Sequence, residues 1–392
     1  MMLNRARNVV FVSTYPPREC GLATFTQDLV NELEDIKLVN KPKVIAISNG
    51  YYQYDDRVIM EIYQYERDSY IKAAKQLNET DTELVVIEHE YGIFGGDWGD
   101  YIFDFTDNLN IPFITTLHTV LLEPSNKQKE IIKILAEKSQ KVVTMANNTV
   151  KILTEVYGID RGKIEVIPHG VPYKIVEPRE KLKERYGFKG RQIISTFGLI
   201  SPGKGLEYGI EAIAKVAKKH PDVLYLILGQ THPCVKKEYG ESYREKLEEL
   251  VRRLGVETNV CFVNKYLTKD EVIQYLQLSD IYMTPYLSRE QAVSGTLAYA
   301  VGYGKVIVST PYPYAKEMLA DGRGMLAEFA DSESLAKCIN YILDHPEVQS
   351  EMEKKTLALG RTMTWKNVAN QYARLFMKAI EEAQLKGDML VG

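Results

Sequence analysis

Short runs rich in Val, Ile and Leu alternate along the chain with longer segments whose apolar residues recur at helical spacing. This is the pattern of a mostly parallel sheet covered by helices on both faces. The runs predict strands near Asn8–Ser13, Lys43–Ile47, Leu84–Glu88, Pro112–Leu117, Lys141–Thr144 and Lys163–Ile167, with helices between most of them. A second series falls near Gln192–Phe197, Val223–Leu228, Asn259–Val263, Ile281–Thr284, Val306–Ser309 and Gly324–Leu326. Between the two series lies Pro168-His169-Gly170-Val171-Pro172, and clustered Pro and Gly break regular structure. The expected organisation is therefore an N-terminal α/β domain over 1–172 and a second over 173–363. After Thr364-Trp365 the spacing of Val368, Tyr372, Leu375, Phe376 and Ile380 is helical, so 364–392 is expected to be a helix packing back on the first domain.

Composition narrows the function. A chain of 392 residues, 45% apolar and 26% charged, has the size and balance of a two-domain globular protein. Its net charge of −4 arises from 49 basic and 53 acidic residues spread throughout, which supplies no broad positive field for nucleic acid. A bound anion must be held locally. No apolar run approaches the roughly 20 residues that cross a bilayer, and Val9-Val10-Phe11-Val12 is too short for a signal-peptide core, so a cytoplasmic location is expected. Cys20, Cys234, Cys261 and Cys338 form no C-x-x-C pair and read as reduced, mostly buried thiols. The 26 tyrosines suit sugar-binding clefts and ordinary half-buried surfaces alike.

Ligands of open α/β sheets bind outside the carboxyl ends of the strands, so the loops there are the places to search. After the first strand, Tyr15-Pro16-Pro17-Arg18-Glu19-Cys20-Gly21-Leu22-Ala23-Thr24 carries Gly21, which either lets a phosphate approach the next helix or simply makes a tight turn. The stretch Phe197-Gly198-Leu199-Ile200-Ser201-Pro202-Gly203-Lys204-Gly205 combines backbone amides, a helix start and a lysine, the groups a diphosphate requires. A third loop ends in Ser294-Gly295-Thr296, whose small residues leave amides open to an anion or whose Ser294 is only a helix cap.

Together with Thr116-Leu117-His118, Val166-Ile167-Pro168-His169-Gly170, Leu226-Ile227-Leu228-Gly229 and Ser279-Asp280-Ile281, these segments resemble the retaining glycosyltransferases of family 4. The resemblance covers nearly the whole chain. It implies the GT-B fold, two facing Rossmann-like doubly wound domains with an interdomain cleft, and a nucleotide-sugar donor. It implies that Gly198, Ser201 and Lys204 hold the donor diphosphate, that Gly229, Asn264 and Tyr266 lie near the nucleobase, and that His118 hydrogen-bonds the transferred sugar. The family's E-x7-E signature departs here, reading Glu290 with Ala298 in one register and Gln291 with Tyr299 in the other. The second glutamate is missing in both, so Tyr299 is expected to replace its donor contact. An arginine that often follows the phosphate-loop glycine is Leu199 here, which leaves more of the diphosphate charge to Lys204.

The string Ser294-Gly295-Thr296-Leu297-Ala298-Tyr299-Ala300, with Gly304-Lys305, Ser309-Thr310-Pro311-Tyr312 and Asp321-Gly322-Arg323-Gly324, resembles GDP-mannose-dependent β-1,2-mannosyltransferases, which invert the anomeric centre. That resemblance implies GDP-mannose as donor and a small anionic or sugar acceptor, with Arg18 and Arg289 as its cationic partners. An inverting transfer needs a base on the acceptor hydroxyl. The acid-rich run Glu88-His89-Glu90-Tyr91-Gly92-Ile93-Phe94-Gly95-Gly96-Asp97-Trp98-Gly99-Asp100 offers Asp97 first and Glu90 second, each otherwise a cap or a solvated charge. His89 reads as buried, and His169 is as readily structural as functional. No cluster has metal-ligand spacing, and no metal or cofactor beyond the nucleotide sugar is expected. The rival readings are a retaining α-glycosyltransferase or phosphorylase on the same fold, and a non-catalytic nucleotide-sugar-binding protein.

Overall fold

The computed structural model describes residues 6–174 and 177–391, with side chains as far as residue 385. The chain divides into two compact units: one takes the polypeptide up to Gly170 and again from Met363, and the other runs Val171–Thr362.

The first unit is built on strands β1 (Val9–Ser13), β2 (Lys43–Ser48), β3 (Val58–Tyr63), β4 (Leu84–His89), β5 (Phe113–Leu117), β6 (Val142–Thr144) and β7 (Ile164–Val166). They lie in the order β3-β2-β1-β4-β5-β6-β7, every pair parallel. Every residue of β1, β4 and β5 is buried, which is why β1 and the start of β4 read as apolar runs; β5 buries Thr115 and Thr116 between its apolar residues. Strand β3 is an addition to the sequence reading. It lies at the sheet edge with Ile59 and Tyr63 exposed, and Glu61 interrupts its apolar residues. Helix Trp365–Val391 completes this unit, burying Val368, Ala369, Tyr372 and Phe376, with the Phe376 ring 6.1 Å from Phe11 of β1. Gly170 is required there, because a Cβ on it would lie 2.1 Å from the Trp365 indole.

The second unit contains β8 (Gln192–Phe197), β9 (Val223–Leu228), β10 (Val260–Val263), β11 (Ile281–Thr284), β12 (Val306–Ser309) and β13 (Met325–Leu326), ordered β10-β9-β8-β11-β12-β13 and parallel throughout. Successive side chains enter opposite layers. Ile194, Tyr225 and Ile227 pack in one cluster, and Ile193, Leu224 and Leu226 in another. Beneath the sheet the Asp280 carboxylate accepts from the Ile193 amide at 2.6 Å, from Lys183 at 2.9 Å and from Arg179 at 3.2 Å. The Ser279-Asp280-Ile281 motif therefore anchors the start of β8. Nearby, Lys305 donates to the carbonyls of Gln277 and Ser279, and burial pushes its pKa down to about 7, helped by the Arg179 charge.

Each sheet reverses its strand order beside its first strand: β1 lies between β2 and β4, and β8 between β9 and β11. Connections leave such a point on opposite faces and open a crevice at the carboxyl ends. The thiols depart from expectation. Only Cys338 is buried, Cys20 and Cys261 are half-buried, and Cys234 is exposed on the short surface helix Pro233–Tyr239.

Candidate active site

In the second unit the loops after β8, β9 and β11 converge. Gly198 has φ +131° and Gly229 has φ +143°, and a Cβ on Gly229 would sit 2.1 Å from the Gly198 carbonyl oxygen. The two loops therefore run backbone against backbone, tied by Gly198 N–H to Leu228 O at 3.0 Å and Ile200 N–H to Gln230 O at 2.9 Å. Ser201 opens the single helical turn Pro202–Lys204, its carbonyl accepting the Lys204 amide at 3.0 Å. The Leu287 amide bonds Gly203 O at 3.0 Å and docks the loop after β11 onto this turn.

That docking brings the candidate donor groups together. Lys204 Nζ stands 3.8 Å from the centre of the Tyr286 ring, and the Tyr286 hydroxyl lies 2.9 Å from Thr296 Oγ1. Thr296 Cγ2 is in turn the nearest atom to a Cβ built on Gly198, at 3.6 Å. Ser294 caps helix Gly295–Gly302, its Oγ accepting the Leu297 amide at 3.3 Å and lying 3.2 Å from Thr296 Oγ1. Capping and anion binding are compatible here, since Ser294 takes one amide and leaves those of Gly295 and Thr296 at the helix start. Among the described residues no carboxylate pairs with Lys204, so its charge faces this patch unneutralised. Tyr286, which organises the patch, was not singled out from sequence. Its only signal is its place two residues beyond β11.

The remaining predicted donor residues are more dispersed. Tyr299 is half-buried with its ring 6.4 Å from Phe197 at the end of β8, whereas Ala298 is wholly buried. Gln291 donates to Val293 O at 3.2 Å. Asn264 and Tyr266 are exposed on the turn after β10, two strands from the Lys204 loop. The Arg289 guanidinium stacks over the Phe329 ring at 4.3 Å.

In the first unit Gly21 starts helix Gly21–Glu34, capped by the Cys20 thiol, which accepts the Ala23 amide at 3.3 Å. A Cβ on Gly21 would meet nothing within 4 Å, so this helix start is open. Arg18 donates to Ile47 O at 3.0 Å and Gln64 Oε1 at 3.2 Å, and Gln64 donates to Gly92 O at 3.0 Å, linking the carboxyl ends of β2, β3 and β4. Asp97 is exposed between Gly96 (φ +85°) and Trp98 (φ +54°). Glu90 is engaged at both oxygens: Oε1 accepts the Tyr91 amide at 3.0 Å, and Oε2 accepts the Thr119 hydroxyl at 2.5 Å.

His118 follows β5 directly, its Nε2 lying 2.7 Å from Oε2 of wholly buried Glu88 and its ring edge-on to Phe25 at 4.7 Å. Sequence reasoning missed this pairing, although a glutamate closing the run Leu84-Val85-Val86-Ile87 is itself a signal, because a charge in a buried strand needs a partner. His169 packs against Phe25 and Trp365, its Nδ1–H donating to Gly170 O at 2.8 Å. Burial lowers its pKa to about 4 and that of His89 to about 3, so both rings are neutral at physiological pH. Among the described residues no three His, Cys, Asp or Glu side chains gather as metal ligands, and no helix is long and apolar enough to cross a membrane.

Two family models match the chain: "Glycosyl transferases group 1" over residues 178–358 and "Glycosyltransferase Family 4" over residues 70–174. Spore coat protein SA of Bacillus subtilis is 20% identical over 281 residues, 68% of this chain and 72% of that protein. The D-inositol 3-phosphate glycosyltransferase of Rhodococcus erythropolis is 23% identical over 288 residues, 70% of this chain and 64% of that protein. Among solved structures, Anabaena HepE in complex with UDP and glucose superposes with a TM-score of 0.77 at 16% identity, covering 95% of this chain and 100% of that one.

Proposed function

Since this chain is a glycosyltransferase of GT-B architecture, akin to group 1 and family 4, we propose that it moves mannose from GDP-mannose to a hydroxyl of a small anionic or sugar acceptor with inversion, forming a β-1,2-mannoside. The observation that carries the donor site is the convergence of Gly198, Lys204, Tyr286 and Thr296 at the point where the second sheet reverses its strand order. There the Lys204 ammonium and the amides of Gly295 and Thr296 supply the positive charge and donors that a leaving diphosphate needs. Mannose and inversion are supported by the Ser294–Ala300 string and by the missing second glutamate. Ala298, the second member of the Glu290 register, is wholly buried, whereas Tyr299, the second member of the Gln291 register, is half-buried, so the proposed donor contact falls to Tyr299. The base on the acceptor is drawn from Asp97, Glu90 and His118 in the first unit, and Arg18 and Arg289 are the proposed acceptor cations.

A second reading is favoured by one observation: HepE was crystallised with UDP and glucose. On that reading the chain is a retaining transferase that uses a UDP-sugar and needs no base. Incubation with a panel of GDP- and UDP-sugars, with detection of the released nucleoside diphosphate, separates the two. Release from GDP-mannose supports the first, and release from UDP-sugars alone supports the second.

A further inference from the structure

We propose that Trp98, at the tip of the loop after β4 in the first unit, is the platform on which a sugar ring of the acceptor stacks; this rests on the sugar-acceptor reading above and is independent of donor and stereochemistry. The chain has two tryptophans with opposite fates. Trp365 is 4% exposed and packs against Phe25 and His169, whereas Trp98 is 49% exposed. Exposure of one apolar ring says little by itself, but the backbone adds a second observation. Trp98 sits at φ +54°, and among the described residues the other positive φ outside glycine belong to Asp321 and Ala330. A bulky side chain is a genuine outlier in this region, which glycine and asparagine adopt far more readily. Such strain persists where the surrounding framework imposes it, and it gathers at ligand-binding positions.

The framework around the tip is tightly tied. The Asp97 amide donates to Asp100 Oδ1 at 3.1 Å, and Asp100 Oδ2 pairs at 3.0 Å with Lys127 at the start of helix Asn126–Lys138. The Gly95 amide donates to the Tyr70 hydroxyl at 3.0 Å, and the Gly95 carbonyl accepts the Tyr101 amide at 3.1 Å. A Cβ on Gly95 would lie 2.0 Å from the Gln64 carbonyl oxygen, so the loop has no slack there. Buried Tyr91 meets the indole edge to face, with ring centres 6.2 Å apart and planes at 84°. The indole is therefore exposed and already oriented, and a preformed face loses little freedom when a ligand binds.

A pyranose suits such a face. Its C–H groups form an apolar surface that lies flat on an aromatic ring, while its hydroxyls stay at the rim for hydrogen bonds. Asp97, the exposed neighbour, brings carboxylate oxygens that accept hydroxyls to the same tip. The loop leaves the carboxyl end of β4, beside the reversal of strand order in the first sheet, where ligands of open α/β sheets bind.

The test uses the full chain. Acrylamide quenching of tryptophan emission is measured without nucleotide, in wild type and Trp98→Phe, with mannobiose, maltose and cellobiose and with glycerol as an open-chain polyol. Since Trp365 is buried, the quenchable emission is that of Trp98. A disaccharide should lower quenching in wild type and leave that of Trp98→Phe unchanged, and glycerol should do neither. Calorimetry with that disaccharide should show an affinity weaker by at least about tenfold in Trp98→Asn and partly retained in Trp98→Phe, with affinity for GDP and UDP unchanged. Because asparagine accepts a positive φ, Trp98→Asn should melt no lower than wild type. A lower melting temperature with undiminished sugar affinity makes Trp98 a packing residue and overturns the platform. So does the absence of protection by every disaccharide when wild type transfers to one of them, a result that leaves the sugar-acceptor reading standing. Failure to transfer onto any sugar overturns that reading and, with it, the platform.

Discussion

Replacing Lys204 by alanine isolates the charge that the proposed donor site brings to the diphosphate. The ammonium sits over the Tyr286 ring at 3.8 Å and, among the described residues, has no carboxylate partner that a bound phosphate would have to displace. Its loss therefore removes a charge-assisted hydrogen bond with little offset, about 1.5–3 kcal/mol. That corresponds to a GDP affinity weaker by about 10- to 150-fold. The fold loses only the contact with Tyr286, about 0.5–1 kcal/mol. Calorimetric titration with GDP and, separately, with guanosine measures the effect. The expected outcome is a large loss for GDP and none for guanosine. Unchanged GDP affinity would refute the phosphate-loop assignment, and an equal loss for guanosine would show that the mutation disturbs the site as a whole.

Gly229→Ala should lower stability by more than about 2 kcal/mol, because it combines a strained positive φ with a backbone clash; a melting temperature within error of wild type would count against the paired-loop geometry. Lys305 has a folded pKa of about 7, below the value near 10.4 of an unfolded lysine, so the unfolded state binds more protons between these values and stability should rise with pH across that window. The slope is at most about 1.4 kcal/mol per pH unit and flattens below pH 7. Urea unfolding of Lys305→Met at several pH values should show the slope reduced, and an unaltered slope would clear Lys305 of responsibility. Asp97→Asn should leave GDP binding intact in every case, and its kcat relative to that of His118→Gln ranks the two as proton acceptors.

Two doubly wound sheets were legible because their central strands are buried on both faces and read as apolar runs. Strand β3 was not, since an edge strand with exposed Ile59 and Tyr63 loses that signature. Lys204, Gly198 and Thr296 could be found one loop at a time, because glycine, lysine and helix-start signals are local in sequence. Their meeting at Tyr286 could not, because it depends on Leu287 docking against Gly203, a contact between segments more than eighty residues apart. For the same reason Glu88 was overlooked as the partner of His118: the pair joins two adjacent strands separated by thirty positions in the chain. Conversely, Glu90 looked free in sequence because nothing there shows that Thr119 and the Tyr91 amide occupy it.

The proposed reaction is transfer of mannose from GDP-mannose with inversion. The most direct test is NMR of the product formed from GDP-α-mannose, reading the one-bond carbon–proton coupling at the new anomeric centre. Inversion predicts the coupling of a β-mannoside. An α-mannoside, or turnover confined to UDP-sugars, would contradict it.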